Sequence, residues 1–383
     1  MKDLAIPENL AMEPTPFFVF DLDRVTQNYL MLREALNAED IYYAVKANNH
    51  PLILSTLRRA GAKFEVGSAG EIRLLQQLGV PPSDIIFSVP VKLIADISYA
   101  YSLGVELFAF DTEAELKKLA EYAPGVKVLL RISVSNEGSM FPLNNKFGAP
   151  AKEAIELLGK AQQNKLVPYG VAFHVGSQCE RKETWVEAFE TALRIWREAD
   201  GLPLRLLNIG GGFPAPYKEE TVSVEAIAVE INRAFSRFPP QTRMVLEPGR
   251  IIVADAGMLA ASVIGTAERN GNNWLYLDIG ALHGLFEAVQ ARKKFPYRIV
   301  ADKQAQERKR YVVTGPTCDP DDTILEEVLL PEMEIKDKLV IMNAGAYSIV
   351  YATEFGGFLP PRAYFLQDNS RLSLEEEEGL IRS

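Results

Sequence analysis

Ile41-Tyr42-Tyr43-Ala44-Val45-Lys46-Ala47-Asn48 is a short apolar, β-branched and aromatic run that ends in a lysine instead of a turn residue. Such a run reads as a buried strand. A buried strand has no structural use for an ammonium group, because burying an unpaired charge is costly. Lys46 therefore either marks the point where the strand reaches solvent or works as an amine nucleophile with a lowered pKa. The octapeptide leaves both readings open, and the rest of the chain has to separate them.

Working outward, residues 1–16 are an irregular, Pro-containing lead-in to the strand-like Phe17-Phe18-Val19-Phe20. From residue 25 onward, short β-branched runs alternate with segments of helical period, the pattern of a parallel sheet built from strand-helix units. The eight strand candidates are 41–45, 63–66, 84–88, 106–110, 126–131, 168–174, 205–209 and 243–247. The clearest helix spans 182–199, where Trp185, Ala188, Phe189, Ala192, Leu193 and Trp196 form one apolar face. Eight repeats in about 220 residues match an α/β fold of the (β/α)8 TIM-barrel type, and a doubly wound sheet usually has fewer strands.

The 383 residues and 48% hydrophobic content allow a barrel plus an appendage, each with its own core. A net charge of -10 argues against nucleic acid or an anionic membrane as partner. Cys179 and Cys318 cannot build a disulfide framework. The amino terminus lacks the basic stretch and apolar core of a signal peptide. No uncharged run approaches the ~18 residues of a spanning helix, so a cytoplasmic protein is expected.

A barrel enzyme places its site at the carboxyl ends of the strands. Reading those ends in turn gives Lys46, Glu65, Ser88, Asp111, Arg131, His174, Gly210-Gly211-Gly212, then Glu247 with Gly249 and Arg250. The Gly210–Gly212 run follows the seventh strand and offers backbone N–H groups that can approach an anion closely. Arg250, in the loop after the eighth strand, adds a guanidinium suited to phosphate. Barrels frequently bind phosphate at these two loops. A phosphate anchor and a strand-end lysine in one mouth suggest pyridoxal 5'-phosphate held as a Schiff base. Glu247 is the candidate partner of the cofactor's ring nitrogen, His174 of its ring face and Ser177 of its phosphate.

With these residues in place, the chain closely resembles the fold-type III pyridoxal phosphate-dependent amino acid decarboxylases, which include ornithine, lysine, arginine and diaminopimelate decarboxylases. The resemblance runs from Phe17 to Leu366. Its motifs are Tyr43-Ala44-Val45-Lys46, Phe64-Glu65-Val66-Gly67-Ser68, Lys146-Phe147-Gly148, Phe173-His174-Val175-Gly176-Ser177 and Ile209-Gly210-Gly211-Gly212-Phe213-Pro214. Glu247-Pro248-Gly249-Arg250, Gly315-Pro316-Thr317-Cys318-Asp319 and Asn343-Ala344-Gly345-Ala346-Tyr347 complete the set. The resemblance implies that Lys46 carries the cofactor, Glu247 pairs with the pyridine nitrogen and His174 stacks on the ring. It also implies that Ser177, Gly210, Gly211, Gly212, Arg250 and Tyr347 hold the phosphate. Glu65, Arg131 and Gly249 fill out the candidate cofactor set.

Beyond residue 255 the rhythm changes, with strand-like runs at 258–267, 273–279, 297–301, 310–314 and 338–343. The expected domains are therefore a barrel over 25–255 and a mainly β domain over 1–24 and 256–383 that ends in a solvated acidic tail at Glu375–Glu378. The family pattern implies a homodimer in which Cys318 and Asp319 reach into the partner's site. Cys318 would return a proton to Cα after carbon dioxide leaves.

Asp319 is a natural partner for the distal ammonium of ornithine or lysine, which makes L-ornithine to putrescine the expected reaction and L-lysine to cadaverine its neighbour. The loop Asp278–Phe286 continues to Glu287 and Arg292. Glu287 would support a distal ammonium, whereas Arg292 would favour a distal carboxylate, as in diaminopimelate. An arginine decarboxylase, an alanine-type racemase and a non-catalytic regulatory relative are the alternatives.

Overall fold

A computed structural model describes residues 6–301, 303 and 306–382. Eight parallel strands close into a barrel, as the sequence predicts: Asp40–Ala44, Lys63–Val66, Ile85–Phe87, Leu107–Phe110, Lys127–Arg131, Val167–Ala172, Leu206–Asn208 and Arg243–Leu246. Each observed strand falls on one of the eight candidates: Lys63–Val66 matches its candidate, and the others differ from theirs by one or two residues at an end. Closure comes from Leu246 pairing with Ile41, the last strand with the first. Tyr42, Ile86, Leu129, Ala172, Leu206 and Val245 pack as one buried cluster contributed by six of the strands. The interior is thus filled by side chains, and chemistry is left to the mouth.

The helix Lys182–Glu198 buries the face read from the sequence, together with Thr184 and Ile195. Trp185 is fully buried and stacks on Phe213 with centroids 4.8 Å apart. That contact fastens the Gly210–Gly212 loop to an outer helix. Truncating a buried ring of this size costs ~3–5 kcal/mol.

By its internal contacts the chain divides into two units, and the barrel unit comprises Thr26–Pro214, Thr221–Ile251 and the chain from Leu380 onward. The other unit takes the chain up to Val25, Ala215–Glu220 and Ile252–Gly379. Ala215–Glu220 lies inside the stretch expected to be barrel, yet Tyr217 packs edge-on against Phe295 at 4.8 Å. In addition, Asn343 Nδ2 donates to the Pro216 carbonyl at 2.8 Å.

The second unit is built on a nine-stranded sheet. Phe17–Asp21 runs through its middle, antiparallel to Gly257–Arg269 and parallel to Arg362–Gln367. Phe17 and Val19 bury one face with Leu10, Met258, Ala260, Val340, Tyr364 and Leu366. Three strands escape the sequence pattern, the two-residue Ser370–Arg371 among them. Thr323–Leu330 carries Glu326 and Glu327 in its middle, exposed on an outer strand, and Arg362–Gln367 follows directly on Pro360-Pro361. The acidic end is a helix, Leu374–Arg382. A capping box starts it: the Glu376 N–H donates to Ser373 Oγ at 3.3 Å and the Ser373 N–H to Glu376 Oε2 at 2.7 Å. Among the described residues, no helix is long and apolar enough to cross a membrane.

Candidate active site

The first barrel strand ends at Ala44 and the chain tightens into a 3-10 turn, Val45–Ala47. Val45 and Ala47 point into the core, while the Lys46 side chain is 53% exposed at the mouth. Its Nζ is ion-paired with the carboxylate of Glu65, a side chain only 4% exposed, on the neighbouring strand. The lysine thus surfaces and also meets a buried carboxylate. The turn is braced by the Tyr43 hydroxyl donating to the Asn48 carbonyl at 3.0 Å and the Ala44 N–H donating to the Pro248 carbonyl at 3.0 Å.

Glu247, one residue past the eighth strand, accepts hydrogen bonds from Asn208 Nδ2 at 2.7 Å and from the Ser88 hydroxyl. Burial pushes its carboxyl up to about 7, and the nearby charge of Glu65 adds to the rise. The two hydrogen bonds and Lys46 only partly offset this. Asn208 also accepts the Gly210 N–H through Oδ1 at 2.9 Å, so one amide ties the carboxyl to the glycine loop.

His174 lies two residues beyond the sixth strand, and its Nδ1 accepts the Gly176 N–H at 3.0 Å. The neutral ring therefore carries its proton on Nε2. Burial lowers its pKa to about 3, helped by the charges of Arg131 and Lys46. The glycine loop passes close to this ring. Gly210 has φ 66°, and a Cβ there would sit 2.5 Å from the Phe173 carbonyl oxygen. Gly212 has φ 102°, and its Cβ would sit 2.4 Å from the Gly176 oxygen. Only glycine takes these positions without strain.

Arg250 is buried, and its Nε donates to Ser177 Oγ at 3.1 Å. Its guanidinium lies 5.5 Å from the Phe141 ring. Ser177 and Phe141 are register partners on a short antiparallel ladder, Ser139–Phe141 with Ser177–Cys179, that the sequence did not suggest. Gly249 lets the eighth-strand loop pass the lysine turn, since a Cβ there would lie 2.7 Å from that of Ala47. Arg131 ends the fifth strand, half-buried, with its guanidinium 5.5 Å from the Phe147 ring.

The mouth therefore gathers Lys46, Glu65, Arg131, His174, Ser177, Gly210–Gly212, Glu247, Gly249 and Arg250 on one barrel unit. The other five candidates belong to the β unit. Cys318 is exposed in the loop between Lys309–Thr314 and Thr323–Leu330. Asp319, half-buried, accepts the Asp321 N–H at 2.8 Å. The loop's shape is set by Asp322, fully buried, whose Oδ2 accepts the Thr317 N–H at 3.0 Å and hydroxyl at 2.7 Å. Tyr347 is half-buried at φ 51°. Glu287 is 2% exposed at the start of a short helix, whereas Arg292 is exposed at φ 51° just after it. Asn208 as a bridge to Glu247 and the Phe141 ring are the supports that no local pattern announced, whereas Phe147 lies in the Lys146-Phe147-Gly148 motif.

This donor set fits a phosphorylated pyridine aldehyde. It offers an amine at Nζ of Lys46, a protonatable buried carboxyl at Glu247 and a flat neutral imidazole. For an anion it offers a glycine cradle that any Cβ would fill, with a guanidinium and a hydroxyl beside it. Fold and mouth together define a TIM-barrel enzyme of lysine-carbonyl chemistry. The chain belongs to the pyridoxal-dependent decarboxylases, whose pyridoxal-binding domain matches residues 22–254, and its cofactor is pyridoxal 5'-phosphate. It is 39% identical to the lysine/ornithine decarboxylase of Selenomonas ruminantium, over 92% of this chain and 90% of that one. It is 34% identical to the ornithine decarboxylase of Rattus norvegicus, over 94% and 82%. The crystal structure of the Vibrio vulnificus lysine/ornithine decarboxylase complexed with putrescine superposes with a TM-score of 0.86 at 33% identity, covering 94% of this chain and 97% of that one.

Proposed function

We propose that the chain removes the α-carboxylate of a basic L-amino acid, L-ornithine to putrescine first and L-lysine to cadaverine second, as a cytoplasmic step of polyamine synthesis. The observation that carries the chemistry is the half-exposed Lys46 amine set against buried Glu65 beside a carboxyl, Glu247, whose affinity for a proton is raised. The substrate reading is supported by the relatives whose names give lysine and ornithine.

Pyridoxal phosphate, when bound, supplies the electron sink for the pair left as the Cα–carboxylate bond breaks. Lys46 offers the amine that holds the cofactor and gives it up to substrate. Glu247, as its carboxylate, would pair with the pyridine nitrogen and keep a proton there. His174, neutral, presents a flat face to the ring. The Gly210–Gly212 N–H groups, Arg250, Ser177 and Tyr347 bind the phosphate dianion. Glu65 and Arg131 balance charge beside the lysine, and Gly249 keeps the loop clear of its turn. Cys318 supplies the proton that replaces the carboxylate on Cα, and it does so from the second chain of a homodimer. Asp319 and Glu287 take the distal ammonium.

A product assay on ornithine, lysine, arginine and diaminopimelate, with pyridoxal phosphate added, tests the substrate. Preferred release of putrescine or cadaverine is expected. Activity on diaminopimelate alone would reassign the pocket to Arg292 and a distal carboxylate, and agmatine from arginine would leave the ammonium-binding roles of Asp319 and Glu287 without support.

A further inference from the structure

Cys318 and Asp319 sit in a loop that is held from its far end. Asp322, the last residue before the strand Thr323–Leu330, is fully buried. Both hydrogen bonds to its side chain come from Thr317, whose N–H and hydroxyl reach Oδ2 at 3.0 Å and 2.7 Å. The Thr317 hydroxyl gives its one proton to that carboxylate, so its oxygen is left to accept the Asp319 N–H, at 3.3 Å. The Asp322 backbone closes the loop as well. Its N–H donates to the Asp319 carbonyl at 3.1 Å, and its carbonyl accepts the Gly315 N–H at 2.7 Å and the Thr314 hydroxyl at 2.8 Å. The residues on either side of Cys318 are therefore tied to Asp322, while Cys318 itself stays exposed.

The carboxylate is wedged between two glycines. A Cβ at Gly280 would overlap Asp322 Oδ1, and one at Gly315 would overlap Oδ2. Gly280 has φ -140°, extended backbone that any residue adopts, so what its bare Cα provides is room for the carboxylate. It stands at the head of the loop that runs on to Glu287. Oδ1 is buried with no hydrogen-bond partner among the described residues. A buried carboxylate with one oxygen unbonded costs stability. What this one does in return is hold Thr317.

We propose that Asp322, acting through the Thr317 hydroxyl, is a positioning residue that sets the direction of Cys318 and Asp319, with Gly280 and Gly315 making room for its carboxylate. This inference rests on the proton-donor and ammonium-binding roles proposed above for Cys318 and Asp319. Amide exchange of the loop reports on Asp322 without turnover, and Cys318→Ala reports on the donor role without touching Asp322.

Thr317→Val removes only the hydroxyl. In the cofactor-loaded enzyme it should speed exchange of the Asp319 amide about tenfold and lower kcat/KM about tenfold. It should also raise the fraction of abortive transamination, with the borohydride-trapped adduct on Lys46 as in wild type. Thr317→Ser should restore all three readouts. Gly280→Ala should displace the carboxylate from the neighbouring loop and give the same pattern as Thr317→Val. In a Cys318→Ala background, Thr317→Val should add nothing to the transamination fraction, because the group it aims is gone. Unchanged Asp319 exchange or unchanged kcat/KM in Thr317→Val, or a Thr317→Ser that restores neither, would overturn the proposal. So would unchanged partitioning in Thr317→Val where Cys318→Ala shifts it. If Cys318→Ala leaves partitioning unchanged, the donor role falls and Asp322 is decided by exchange and kcat/KM. Should Gly280→Ala fail to fold, the two Thr317 variants decide it.

Discussion

The Lys46 ammonium and the Glu65 carboxylate form an ion pair in which one partner stands half in solvent and the other is almost wholly buried. The amine is held in place without being sealed away, as the proposed role of binding the cofactor's carbonyl carbon and yielding it to a substrate amine requires. Lys46→Ala should therefore abolish the adduct that borohydride traps between protein and pyridoxal phosphate, and lower kcat at least a thousandfold, on the order of other lost nucleophiles. An adduct on another lysine would sink the assignment. The ligand-free variant should lose about 1 kcal/mol in urea, the low end for an orphaned carboxylate, since solvent screens the lysine side.

The glycine loop can be tested against a glycine that has room. Gly210→Ala puts a Cβ 2.5 Å from a backbone oxygen at φ 66°. It should cost at least ~2 kcal/mol and weaken cofactor binding about tenfold or more, read by absorbance titration. Gly159, in the helix Ala154–Gln163, has open space around it. Gly159→Ala should instead stabilise by roughly 0.5–1 kcal/mol.

Glu247 and His174 pull the pH dependence of the ligand-free fold in opposite directions. The Glu247 carboxyl is raised from 4.5 to about 7, so its contribution to stability is full below pH 4.5 and is lost as pH rises through 7. The His174 ring is lowered from 6.5 to about 3, so its contribution is full above pH 6.5 and is lost as pH falls toward 3. Wild type should show a shallow profile between pH 4.5 and 6.5. Glu247→Gln should uncover the histidine arm, a stability that climbs with pH across that window, in urea midpoints taken every half unit. Parallel profiles for the two proteins would remove Glu247 as the titrating group.

Cys318 is exposed on its own chain, as a donor that serves a second chain would be. Cys318→Ala should slow turnover and raise the fraction of abortive transamination, counted as cofactor converted to its amine form. Mixing Lys46→Ala chains with Cys318→Ala chains should restore up to about a quarter of wild-type activity if sites are shared across a two-fold dimer. Continued inactivity in proven mixed dimers would place each site within one chain.

The barrel was legible because each strand is a compact β-branched or aromatic run, and because the polar residues that break those runs fall at one end of every strand. Lys46 and the Gly210–Gly212 loop were visible for the same reason: they are local departures from a local pattern. What escaped is long-range. Asn208 supports Glu247 from 39 residues away, and Asp111 holds Gly148 from 37. Nothing near either residue announces its partner. Thr323–Leu330 was hidden by Glu326 and Glu327, which suit an exposed outer strand and look like a loop in isolation. The terminal helix carried a readable signal, Ser373 three residues before Glu376, that the run of acidic residues obscured.

Phe17–Asp21 has a consequence for how the chain is made. Its first four residues are buried, three of them phenylalanines, and both flanking partners come late: Ala260 and Arg362 pair with Phe17 itself. A ribosome adding 5–20 residues per second reaches the first of these partners only after roughly 12 to 50 seconds. Through that interval a flat, apolar segment with two unpaired edges is outside the tunnel and without its sheet. The barrel sequence can be collapsing meanwhile, so the β unit is the one whose yield should depend on chaperones that bind short extended apolar peptides.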